Sequence, residues 1–153
     1  LLTRITGLNG CFSAFSTRRL IRYIEEYQPD MIHIHELHAY FVNLKPLLRY
    51  IKKKRIPVVW TFHCEYMYTE KSCGNCPSVH DYPKSLFLDQ TKRMLHWKKE
   101  LLSDMDLHIV TPSKWLANRV QMSFLKDKQI SVIHNGIDTS VFTRLMHAIY
   151  ESN

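Results

Sequence analysis

No apolar run in this sequence of 153 residues approaches the roughly 20 residues needed to cross a bilayer, so a membrane span is not expected. Nor does a basic, then apolar, then small pattern follow Leu1, and a secretory signal is not expected either. Cysteine is scarce. The four present, Cys11, Cys64, Cys73 and Cys76, are too few for a disulfide framework in a chain of this size. With the absent signal they lead to the expectation of a reducing, cytoplasmic setting. Acidic side chains are outnumbered 14 to 21 by lysine and arginine, giving a formal charge of +7. Zinc-finger spacing, a recognition-helix pattern and an aromatic RNA-binding strand motif are all missing, so that charge is not read as nucleic-acid binding. The alternatives are solvated helix faces, or attraction to an anion such as a phosphorylated substrate or an acidic membrane surface.

What the sequence does contain is one domain's worth of core, with 45% hydrophobic residues. Three apolar runs read as buried strands, and each reaches a histidine: Met31-Ile32-His33-Ile34-His35, Val58-Val59-Trp60-Thr61-Phe62-His63 and Ile130-Ser131-Val132-Ile133-His134. A fourth strand is expected over residues 107–110, stopped by Thr111-Pro112-Ser113. Helical spacing fills the gaps. From Thr17, read as an N-cap, Leu20, Ile21, Ile24 and Tyr27 face inward. A second helix covers residues 40–54, starting near Asn43 or kinked at Pro46. A third covers residues 85–103. Ser113 caps a fourth that turns Trp115, Leu116, Val120 and Phe124 inward. Alternation of this kind gives an α/β fold, a Rossmann-like parallel sheet with helices on both faces. Ligands of such sheets sit at the carboxyl ends of the strands, so histidines placed there mark a cleft.

Three motifs carry chemistry. The run His33-Ile34-His35-Glu36-Leu37-His38 overlaps the H-x-H-x-D-H metal run of the metallo-β-lactamase fold. Leu37 stands where the aspartate should be, and no downstream glycine-flanked histidine completes the set. His33 is therefore read as a buried, hydrogen-bonded residue, with His35 and His38 at the strand end available to a ligand. Cys73-Gly74-Asn75-Cys76 has C-x-x-C spacing, and Cys64, Cys73, Cys76 and His80 make a candidate zinc set, against the plainer reading of partly buried thiols. Residues 63–83, which hold these cysteines, are expected to form a long functional or metal-tied loop. In His134-Asn135-Gly136-Ile137-Asp138 the Asn-Gly pair suggests a sharp turn with positive φ.

Taken in order, Gln28-Pro29-Asp30-Met31-Ile32-His33-Ile34-His35, the run from Val58 to His63, Val110-Thr111-Pro112-Ser113 and the run from Val132 to Phe142 resemble the motifs of the N-terminal half of glycosyltransferase family 4. These are retaining enzymes of GT-B architecture. The stretch from Thr61 to Phe87 is similar to a subgroup that builds bacterial surface polysaccharide and carries a cysteine-bearing loop there. The resemblance implies an acceptor-side domain over residues 1–142, missing its first strand, followed by a divergent tail over 143–153. It implies His63 as the catalytic-side histidine facing the transferred sugar, with His35, His38, Asn135 and Gly136 as substrate-binding positions. A nucleotide-sugar donor would be held by a second domain of which this sequence has none, so the chain alone is expected to lack transferase activity. The acceptor would be a glycan or a lipid-linked sugar, met in the cytoplasm with peripheral contact at the inner membrane. The competing expectation is a non-catalytic α/β binding module tied by zinc through Cys64, Cys73 and Cys76.

Overall fold

The computed structural model describes residues 13–37, 42–69 and 90–140. Helix α1 (Ala14–Tyr27) leads into β1 (Ile32–His35), α2 (Leu44–Lys54), β2 (Val58–Thr61), α3 (Thr91–Ser103), β3 (Leu107–Thr111), α4 (Lys114–Gln121) and β4 (Gln129–Val132). The four strands form one parallel sheet in the order β1-β2-β3-β4. This is the expected Rossmann-like α/β fold.

Register explains which side chains are buried. Ile34, Trp60, Ile109 and Ile130 stand in one row across the sheet, and Ile32, Val58 and Leu107 in another on the same face. That face joins the apolar stripes of the helices, among them Ile24, Leu47, Leu48, Ile51, Trp97 and Val120, in one core. The alternate positions His33, Val59, His108 and Gln129 belong to the opposite face, as the two-residue period of a strand requires. His33, His35 and Gln129 are exposed there. The four described helices thus feed one face of the sheet, and none of them covers the opposite face, where helices were also expected.

Several local expectations change. Helix α1 begins before Thr17, whose side chain is buried inside the first turn. Its hydroxyl donates to the Ser13 carbonyl at 2.6 Å and accepts from the Asn43 amide at 2.6 Å, fastening α1 to the start of α2. Helix α2 starts straight after Asn43, leaving Pro46 in the first turn where its missing N–H costs nothing. Ser113 caps α4 as expected, its hydroxyl accepting from the Leu116 amide at 3.3 Å. Trp115 and Tyr27 face solvent rather than the core, because burial follows Leu116 and Val120 in one helix and Thr17 and Ile24 in the other.

Beside β1 the helices leave an apolar groove of about 360 Å³, lined by Leu20, Tyr23 and Ile24 of α1 together with Met31, Ile34 and Leu47.

Candidate active site at the carboxyl edge

The carboxyl ends of β1 and β2 lie side by side, since His35 pairs in register with Thr61. His35 ends its strand, while His63 sits two residues beyond the end of β2. Their rings stack with centroids 6.4 Å apart, and the His33 ring lies 4.2 Å from that of His35. The three imidazoles therefore form a row across adjacent strands. All three are exposed, which corrects the expectation of a buried His33, although His33 Nε2 is hydrogen-bonded to Thr61 Oγ1 at 3.0 Å. Imidazole edges can donate to or accept from hydroxyls, and their flat faces stack, so the row suits a polyhydroxylated ligand.

One carboxylate fixes the spacing of this row. Glu36 Oε2 accepts from the His63 amide at 2.7 Å and from the Cys64 amide at 3.1 Å, and the Cys64 thiol donates to Oε1 at 3.5 Å. Glu36 itself has φ of +27°, in the left-handed region that side chains rarely adopt. Its own amide donates to the Thr61 carbonyl at 3.2 Å. The residue thereby ties the end of β1 to the loop after β2 through both backbone and side chain.

Under that loop lies a buried ionic network. Glu65 is fully buried and accepts from Arg119 Nε at 2.6 Å and from the Tyr68 hydroxyl at 3.4 Å. Lys98 of α3 is fully buried as well. Its ammonium donates to the carbonyls of Tyr66 and Thr69 and sits 3.7 Å from the centre of the Tyr66 ring. Burial pushes the Tyr68 phenol well above its ordinary range, and the Glu65 charge adds to the shift. Cations from α3 and α4 thus hold residues 62–69 against the core, where Phe62, Tyr66, Met67 and Tyr68 are all buried.

The remaining expected site residues fall differently. Asn135 and Gly136 are exposed beyond β4, at the far edge of the sheet and separated from β2 by β3. No left-handed φ occurs at either, so the sharp turn expected of Asn-Gly is absent. His134 Nδ1 is hydrogen-bonded to the Pro112 carbonyl at 2.8 Å, fixing that end to the loop after β3. His38, Cys73, Cys76 and His80 lie outside the described residues, as do most of the cysteine loop and the tail over 143–153. Among the described residues no group of three or more histidine, cysteine or carboxylate side chains is placed to hold a metal ion.

Sequence reasoning missed Glu36, Glu65, Lys98 and Arg119. A signal existed for Lys98, which falls at helical spacing from Met94 and Leu101 on the apolar stripe of α3. The two glutamates lie in loops without a period, and their partners are far away in sequence.

A parallel α/β sheet with a row of imidazoles at its carboxyl edge has the layout of a ligand-binding domain. The profile of Glycosyltransferase Family 4 matches residues 3–141, and the chain belongs to that family. Among curated proteins, it is 26% identical over 130 residues to a protein of Escherichia coli (strain K12) named as a colanic acid biosynthesis glycosyl transferase, WcaC. That match covers 72% of this chain and 32% of the relative, so the chain spans about a third of its length. No solved structure matches.

Proposed function

We propose that the chain is the acceptor-side domain, over residues 1–142, of a retaining glycosyltransferase that moves a sugar from a nucleotide-sugar donor to a glycan or lipid-linked acceptor in polysaccharide biosynthesis. The family match supports the transferase class, and the name of the Escherichia coli relative supports the polysaccharide setting. The observation that carries the site is the His33, His35 and His63 row at the carboxyl edge. His63 faces the transferred sugar and hydrogen-bonds one of its hydroxyls as charge develops at the anomeric carbon. His35 and His38 contact the acceptor, and Asn135 and Gly136 lead toward the donor-binding domain. Stabilisation of the departing diphosphate belongs to that other domain, and residues 1–142 serve the acceptor. The enzyme works in the cytoplasm at the inner membrane surface. Among the described residues no helix is long and apolar enough to cross a membrane.

The test is a transfer assay on the polypeptide of the complete reading frame, with a panel of nucleotide-sugars and membrane extract as acceptor. His63→Ala is expected to lower kcat by about a hundredfold, the usual scale for one polar contact to developing charge. Undiminished transfer in that variant would remove His63 from the site.

A further inference from the structure

Helix α1 carries a face that its packing does not use. Thr17 and Ile24 are buried, whereas Phe15, Arg18, Arg19 and Arg22 are all exposed. Their spacing of three, four and seven residues puts the four on a single stripe directly away from the core. Phe15 is 80% exposed, a phenyl ring held in water among three guanidinium groups. Helix α2 packs beside α1 and presents Arg49 and Lys53 to solvent on the same helical layer. No ion pair among the described residues engages any of these five cations. The acidic residues of α1, Glu25 and Glu26, come only in its last two turns, and Glu25 is tied to Lys54 at 3.2 Å.

We propose that this stripe is a docking surface for an anionic bilayer, with the arginines on lipid phosphates and Phe15 at the acyl boundary. Charge complementarity selects an anion, and the ring selects a bilayer among anions. A phenyl group flanked by arginines gains from leaving water at the headgroup boundary, and a helix lying flat presents ring and cations together. The arginine stems reach along the same boundary while their charged heads stay at the phosphates. Attraction to such a surface amounts to about fivefold in affinity per cation and weakens with salt. The inference deepens the reading of a lipid-linked acceptor by naming the surface that would bring the domain to it, but its charge and geometry stand without that reading.

Vesicle co-sedimentation of the full 153-residue chain tests it without any transfer reaction. Vesicles of phosphatidylcholine with about a quarter phosphatidylglycerol should bind the chain, and phosphatidylcholine alone should not. The double variant R18A/R22A should weaken binding about thirtyfold, and Phe15→Ser about tenfold. Lys114 and Lys126 are exposed on and after α4, so K114A/K126A removes the same charge elsewhere and should change binding less than about threefold. Circular dichroism checks that each variant is folded. Equal losses in the two double variants would overturn the proposal in favour of general charge attraction. Absence of vesicle binding would overturn it outright, and polyuridylate binding lost in R18A/R22A would then assign the stripe to nucleic acid. Either result leaves the transfer assay, and the reading it tests, untouched.

Discussion

The loops that follow β2 and β4 leave the same edge of the same sheet, yet they are built in opposite ways. Residues 62–69 are packed down by buried aromatics, by Arg119 and Lys98 from beneath, and by Glu36 from the neighbouring strand. Residues 133–138 are exposed throughout, and His134 is anchored by one hydrogen bond to Pro112. The first is a wall whose position is set by the domain itself. The second is a path of chain whose conformation little in the domain dictates. A row of imidazoles at fixed spacing needs the first kind of loop, and the second imposes no such spacing.

The contrast breaks most severely at Arg119. Its removal leaves Glu65 charged and buried with a weakened set of partners, and Arg119→Ala should cost about 3 kcal/mol in urea unfolding. A loss under about 1 kcal/mol would mean that the network is incidental to the wall. Glu36 comes next. Glu36→Ala should cost about 1 kcal/mol and speed hydrogen exchange at the His63 and Cys64 amides relative to Trp60. Glu36→Gln keeps an acceptor oxygen and should restore much of that protection. Unchanged exchange in Glu36→Ala would show that the loop is held without the carboxylate. The smallest effect belongs to the other loop. A Cβ at Gly136 meets nothing within 4 Å, and its φ is not left-handed, so Gly136→Ala should shift stability by less than about 0.5 kcal/mol.

The same contrast marks what could be read from sequence. The strands were legible because Val58-Val59-Trp60 and Ile109-Val110 combine β-branched and aromatic residues in short runs, and parallel pairing buries one face completely. Ser113 was legible as a cap because its signal is local. Thr17 misled for the complementary reason. Its hydroxyl satisfies the same rule as an N-cap, but its real partner at Asn43 lies 26 residues away. Glu36 and Glu65 are further cases, since they meet partners 27 and 54 residues distant. The histidine row itself was half legible. Strand ends told which residues would stand at the edge, while the order of the strands decided that His35 and His63 meet and that His134 stands apart.

Among the described residues, three other than glycine sit at positive φ: Gln28, Glu36 and Arg55. Two of them end helices α1 and α2, positions where glycine is the usual occupant. Their strain does no chemical service, and a glycine at either would release about 1 kcal/mol of it. At Glu36 the backbone is strained in the same sense, but the carboxylate borne by that backbone is what holds the amide of His63. There the fold spends stability to set the distance between two imidazoles, so the least comfortable residue of the edge is also the one that gives it its shape.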